Sequence, residues 1–368
     1  MTAATLQPEG RRHTLVTLEI GRFVAALSVV LYHYSAVIQN AFDTLILGDM
    51  FRAGHVGVPY FFVLSGFIIY HIHRTDIGQP KAWRRFAIKR AIRLYPMYWI
   101  VSGGMLLAFI AMPKLYDGHA LSLTNVLVDF ALMPQHHAIL SISWTLRHEI
   151  IFYALFSFAI WFGSRAFWAI AIWIVLSAII AFAIPEPANY LGLWSLIASP
   201  LNLGFGIGMI VAQAIRRPVN IPPVLIIIVA LAGLIELAWM EWRLGAGVPH
   251  TINILGNAGD VAYLIMAGLL VYGLVTWENS RRRPIHAPIW KMLGGASYIL
   301  YLVHPPVGSA VIRILQKLHV TSPNLIYCIM IMAAILCALL LHLMVEKPIL
   351  RLLSDRMMTR PSSQSRPA

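Results

Sequence analysis

The stretch GRFVAALSVVLYHY, Gly21 to Tyr34, decides the fold of this chain. Between Phe23 and Tyr32 it carries no charge, yet Arg22 precedes the run and His33 follows it. The composition says where such a segment lives. Of 368 residues, 59% are hydrophobic and only 12% are charged. With a mean hydropathy of +0.73 the chain is too apolar for a soluble domain. It reads as an all-α polytopic membrane protein.

Working outward from Gly21–Tyr34, about ten apolar runs are long enough to span a hydrocarbon core of roughly 30 Å, which takes about 20 helical residues. They lie near 15–38, 54–73, 92–113, 144–163, 165–184, 196–214, 221–240, 258–277, 289–312 and 324–346. Unbroken runs of this length are helices rather than barrel strands, because lipid leaves every backbone group to be satisfied within its own segment. The shorter LTNVLVDFALM, Leu123–Met133, reads as an interfacial or re-entrant piece. If the N-terminus is cytoplasmic, 21 of the 28 Lys and Arg residues fall in inside segments and five in outside ones. Both termini are therefore expected in the cytoplasm. The net charge of +13 is largely this topological signal and argues little for nucleic acid as a partner. The expected organisation is a cytoplasmic segment at 1–14, one transmembrane domain at 15–350 and a cytoplasmic tail at 351–368.

Several features carry no chemistry of their own. The first 14 residues show no cleavage-site pattern, so the first span is expected to be permanent. The final TRPSSQSRPA reads as a disordered tail. Cys328 and Cys337 sit on opposite faces of one expected helix, which disfavours a disulfide or a shared metal. Gly204, Gly206 and Gly208 fall inside a span, where small residues let helices approach.

Ionisable groups inside the spans are the informative exceptions. Arg22 and His33 are eleven residues apart, so they share a helix face at roughly 16 Å along the axis. Intramembrane charges are costly and usually line a cavity or find a partner. The plainer alternative is that Arg22 pairs with Glu19 and His33 packs near the interface. The fourth span opens with SISWTLRHEIIFY, bringing Trp144, Arg147, His148 and Glu149 to the outer half, and the ninth, KMLGGASYILYLVHPP, brings His304 there. Glu149 and Tyr153 share a face, as do Tyr298 and Tyr301. Together these groups suggest a buried polar pocket able to move protons. On the other side, KAWRRFAIKRAIRLYP places Arg90 and Arg93 one turn apart, suited to phosphate. Contact with anionic lipid headgroups is the alternative there.

Two patterns mislead. His71 and Asp76 have the spacing of glycerolipid acyltransferases but none of that family's other blocks. HEIIF at His148 lacks the second histidine of a zinc protease, position 152 being Phe, so no metal is expected. His136 and His137 read as surface residues of an outer loop.

The blocks GRFVAALSVVLYH, GVPYFFVLSGFII, KRAIRLYPMYW, SWTLRHEIIFY, SYILYLVHPP and VEKP resemble, in order and spacing, the acyltransferase 3 family of bacterial membrane acyltransferases, including exopolysaccharide and O-antigen acyltransferases. The resemblance runs from about residue 15 to 350. It departs at Pro59, where many members carry an acid, and at 368 residues the chain is expected to have no appended extracytoplasmic domain. The resemblance implies a bacterial inner-membrane enzyme with no bound cofactor. It would move an acyl group, acetyl by expectation, from cytoplasmic acyl-coenzyme A to a sugar hydroxyl of a lipid-linked or cell-surface glycan. Arg22, Arg84, Arg85, Arg90 and Arg93 would then hold the donor. His33 would act as general base, alongside Glu149 as its possible charge partner, or else carry the acyl group. Trp144, Arg147, Tyr153, Tyr298, Tyr301 and His304 would be acceptor or transition-state groups. The rival readings are a proton-coupled secondary transporter of a glycan or lipid and a scaffold for glycan assembly.

Overall fold

The computed structural model describes residues 15–112, 122–135, 138–183, 193–245, 254–281, 285 and 287–358. The N-terminal 14 residues, the terminal TRPSSQSRPA, and His136 and His137 lie outside that set. Helix accounts for 87% of the structure and no strand occurs among the described residues, which makes the protein all-α. Ten helices follow the ten expected runs: α1 (Val16–Phe42), α2 (Gly57–His73), α3 (Trp83–Ala111), α5 (Trp144–Phe162), α6 (Ser164–Ala183), α8 (Leu203–Ala214), α9 (Pro223–Leu244), α10 (Gly256–Asn279), α11 (Pro288–Lys317) and α12 (Pro323–Leu341). Three shorter ones are α4 (Leu123–Phe130), α7 (Leu193–Ala198) and α13 (Lys347–Met358), the last beginning before and running into the stretch expected to be tail.

Eight of these helices are by themselves long and apolar enough to cross a bilayer, and the protein is a multi-pass membrane protein. The expectation of about ten falls short at two places for different reasons. Helix α5 spends its first turns on Arg147, His148 and Glu149, and the Pro200–Ala214 segment is too short. The piece at Leu123–Met133 forms the eight-residue α4, anchored to α3 by hydrogen bonds from Tyr95, Tyr98 and Trp99.

The bundle has two apolar cores. One gathers side chains of α2, α5, α6, α8 and α10, and the other those of α1, α3, α11 and α12. Val58, Phe61 and Tyr153 pack against both, so they mark the seam. Helix α9 packs on α10 and leaves Ile228, Val229 and Ile235 exposed, as a lipid-facing helix does.

Two devices fix the helices against one another. In the second core, tyrosine hydroxyls donate to backbone carbonyls of neighbouring helices. Tyr34 bonds His304 O at 2.6 Å, Tyr298 bonds Leu94 O at 2.7 Å, and Tyr327 bonds Leu31 O at 3.1 Å. In the first core the device is close approach. A Cβ on Gly208 would overlap the Val63 carbonyl oxygen, and one on Gly66 would overlap that of Phe205, so α2 and α8 touch backbone to backbone. Gly208 and Gly204 thus have the packing role expected of them.

The crossing can be tested against an internal control. Gly208→Ala should lower stability by about 1–3 kcal/mol, because rigid backbone rather than a flexible side chain stands in the way. Gly104→Ala on α3, where a Cβ meets nothing within 4 Å, should be neutral or stabilising by up to about 1 kcal/mol. Thermal unfolding in detergent reads both; equal melting temperatures would contradict the crossing.

Candidate active site

A cavity of about 590 Å³ opens at the seam between the two cores. Its lining divides by chemistry. Arg22 from α1, Lys89, Arg90 and Arg93 from α3 and Arg351 from α13 supply cations at one end. These come from the early turns of α1 and α3 and from the helix after α12, so chain direction brings them to one level. The rest of the lining is Ser65, Thr145, Glu149, Tyr153, Tyr298 and Tyr301, with Phe61, Phe62, Ile68 and Phe205 as apolar wall, and Tyr153 and Tyr298 lie under the guanidinium groups of Arg90 and Arg93.

The cations are differently engaged. Arg22 pairs with Glu19 at 3.2 Å, one turn back, and still lines the cavity. Arg93 pairs with Glu346 at 2.6 Å, and the same carboxylate meets His342 Nδ1 at 2.6 Å. Arg90 lies 5.8 Å from the Phe86 ring centroid and 6.0 Å from that of Tyr153, while its buried Nε has no hydrogen-bond partner. A buried donor without an acceptor is costly. An anionic ligand in the cavity would satisfy it. Arg84 and Arg85 are exposed at the start of α3 and do not line the cavity.

Glu149 is a wall residue. Its Oε1 accepts from Tyr153 OH at 2.5 Å and from Ser65 Oγ at 3.0 Å, which bears out the shared face of Glu149 and Tyr153. No hydrogen bond or ion pair joins it to His33. Helical spacing gave both residues a depth but not a bearing, and the two point to different neighbours.

His33 is half-buried and instead meets His304, with Nδ1 to Nε2 at 3.3 Å and ring centroids 5.0 Å apart. Neither histidine lines the cavity. Tyr301 connects the cavity to the histidines, since it lines the cavity and its ring packs 5.8 Å from that of His304. Phe61 packs against Tyr301 at 6.3 Å, and Thr145 bonds its hydroxyl at 2.9 Å. On its far side His33 meets Tyr32, which also packs on His55. His55 is bonded to Glu241 at 2.8 Å, and Tyr263 donates to the same carboxylate at 2.9 Å.

Other expected site residues lie elsewhere. Arg147 is buried and committed to Asp129 of α4 at 2.8 Å, with Tyr98 and Gln135 completing the cluster around that carboxylate. Trp144 packs edge-on to His148, outside the cavity. His148 donates to Asn202 Oδ1 at 2.9 Å, because the Asn202 amide nitrogen is itself a donor to Ser177 and Leu196. The misleading His71 stacks on Phe67, and Asp76 pairs with His73 at 2.7 Å. Pro59 occupies the first turn of α2, where a missing N–H is tolerated.

Residues 15–343 match the family described as Acyltransferase domain. The chain is 26% identical over 320 residues to the exopolysaccharide production protein ExoZ of Rhizobium meliloti (strain 1021), covering 83% of this chain and 92% of that protein. It is 24% identical over 372 residues to the acyltransferase MdmB of Streptomyces mycarofaciens, covering 91% of each. No solved structure matches the chain.

The buried Asp129–Arg147 pair should be structural. Asp129→Ala is expected to cost about 3–5 kcal/mol, because it leaves a guanidinium buried without its counter-charge. Asp129→Ala combined with Arg147→Met should cost less than Asp129→Ala alone. Unfolding midpoints in detergent decide it, and a double variant less stable than the single one would contradict the pairing.

Proposed function

The chain belongs to the acyltransferase domain family, and on that premise we propose that it moves an acyl group, acetyl by preference, from acyl-coenzyme A to a sugar hydroxyl of a cell-envelope glycan. The observation that carries this reading is the seam cavity. It joins a cluster of cations, one with an unsatisfied buried N–H, to a tyrosine that packs on His304, the partner of His33. Coenzyme A has the matching form: phosphates at one end, a long uncharged arm, and a thioester at the other.

In this scheme Arg22, Arg90 and Arg93 hold the phosphates, joined by Lys89 and Arg351. Arg84 and Arg85 serve only as an outlying positive field. The pantetheine arm lies along the apolar wall, its amide N–H groups offered the Glu149 carboxylate. Tyr301 and Phe61 part to admit the thioester to His33. The acceptor hydroxyl loses its proton to His33 as its oxygen attacks the thioester carbonyl carbon. The C–S bond breaks, and His33 returns the proton to the leaving sulfur, releasing coenzyme A as the free thiol. Attack by the hydroxyl itself needs no acylated histidine.

The glycan acceptor draws support from the name of the exopolysaccharide production relative. A cytoplasmic donor mouth follows from the positive-inside count, and a bacterial inner membrane is the setting in which such a donor and acceptor meet. Aromatic and carboxylate groups beyond His33, namely Tyr32, His55, Glu241 and Tyr263, suit the approach of a hydroxyl-rich acceptor. Trp144, with its indole packed on His148, is not needed for this.

The test is transfer of radiolabelled acetyl from acetyl-coenzyme A, added to the cytoplasmic face of inverted membrane vesicles, into endogenous glycan. His33→Ala at matched expression should reduce incorporation about 10²–10⁴-fold, the usual weight of a general base. Arg90→Ala with Arg93→Ala should abolish stabilisation of the purified protein by coenzyme A. Label transferred equally by His33→Ala would overturn the mechanism.

A further inference from the structure

We propose that His304 is a positioning residue for His33, and that Pro305 sets its tautomer. This rests on His33 acting as the base. The chain of hydrogen bonds begins at a backbone vacancy. In a helix the carbonyl of Tyr301 would accept from the amide of residue 305, but Pro305 has no N–H to give. The carbonyl lies among buried residues, where it must find another donor. His304 Nδ1 lies 2.8 Å from it.

A carbonyl only accepts, so His304 Nδ1 carries the hydrogen and, in the neutral ring, Nε2 carries the lone pair. That lone pair faces His33 Nδ1 at 3.3 Å, and the same Nδ1 lies 2.9 Å from the Val29 carbonyl. Both neighbours of His33 Nδ1 are acceptors, so Nδ1 carries the hydrogen and Nε2 holds the lone pair that a base requires. His304 is thus the orienting partner of His33, the place a carboxylate fills in a serine hydrolase triad. When His33 takes the acceptor's proton, its Nδ1–H faces an acceptor already in place, and that hydrogen bond becomes charge-assisted. The ring of His304 is fully buried and its own carbonyl is held by Tyr34 at 2.6 Å, so it has little room to turn away.

The alternative tautomer shows why the proline matters. An amide at position 305 would compete for the Tyr301 carbonyl and release His304 Nδ1. His304 would then be free to carry its hydrogen on Nε2 and donate it to His33. His33 Nδ1 would become the acceptor, its hydrogen would move to Nε2, and the base would be blocked.

The experiment combines imidazole ¹⁵N spectra of the full-length protein in nanodiscs with acetyl transfer in vesicles. Two of the 14 histidines are assigned by signals lost in His33→Ala and His304→Leu. Wild-type His33 and His304 should both show the hydrogen on Nδ1. Transfer by His304→Leu should fall about a hundredfold in kcat with KM for acetyl-coenzyme A unchanged, a loss on the scale of general-base catalysis. His304→Gln, whose amide oxygen replaces the Nε2 lone pair, should recover most of it. Pro305→Ala should lower transfer and redistribute the two tautomers without lowering the melting temperature, since Ala favours a helix interior over Pro by about 3 kcal/mol.

A His33 hydrogen found on Nε2 in wild type, or full transfer by His304→Leu, would overturn the positioning role. Full transfer by His33→Ala would instead overturn the base itself, so the two failures are distinguishable.

Discussion

A carbonyl inside a bilayer has no water to turn to, and that constraint organises this protein. Each helix satisfies its own backbone, which is why the described residues are mostly helical, and a departure calls for a side chain to answer it. Where Pro305 withdraws an amide, His304 answers. Tyrosine hydroxyls add bonds between helices by the same currency: Tyr34, Tyr298 and Tyr327 each donate to a carbonyl of another helix. At the start of α1, the free N–H groups of Val16 and Thr17 are taken by the Glu278 carboxylate from the end of α10. The polar chemistry of the interior is therefore tied to helix geometry rather than laid over it.

Charge inside the bundle obeys a second form of the same rule. The cations of the cavity are matched where matching is possible, Arg22 by Glu19 and Arg93 by Glu346. Glu346 belongs to a π-helical turn, His342–Glu346, that links α12 to α13. Such turns shift side chains out of the α-helical register and recur at functional places. Here the turn lets one carboxylate meet both Arg93 and His342. Among the described residues of the cavity wall, only the Nε of Arg90 is left buried without an acceptor, and that is the group a bound anion would complete.

The sequence made the fold legible because spanning a bilayer demands continuous apolar length, which a single chain displays directly. Local relations along one helix were also readable, among them Glu149 with Tyr153, Arg22 with Glu19, and the small-residue face around Gly208. Relations between helices were not. Helical spacing gives the depth of His33 and Glu149 but not their bearing around the bundle axis, so a shared level suggested a pair where none forms. Arg147 was drawn toward the site for the same reason, whereas its partner Asp129 lies 18 residues away on the short α4. Glu346 is 253 residues from Arg93, and it falls in a π turn that a 3.6-residue period does not locate. The block VEKP marked the place without showing its contact.

Placing Glu149 away from His33 has a physical logic of its own. A histidine and carboxylate held together inside hydrocarbon would confine an ion pair whose desolvation cost its own attraction struggles to repay. A pair of neutral imidazoles confines no charge, and under the proposed mechanism that pair would bear a cation only while it holds the hydroxyl proton. The carboxylate then serves better on the cavity wall, where Ser65 and Tyr153 donate to it and Arg90 packs over the Tyr153 ring. Tyr301 borders both environments, lining the cavity with the ionic groups and packing on His304. Under the mechanism proposed above, separation of this kind would let a thioester rest in the cavity without meeting His33, so that hydrolysis is avoided until Tyr301 yields.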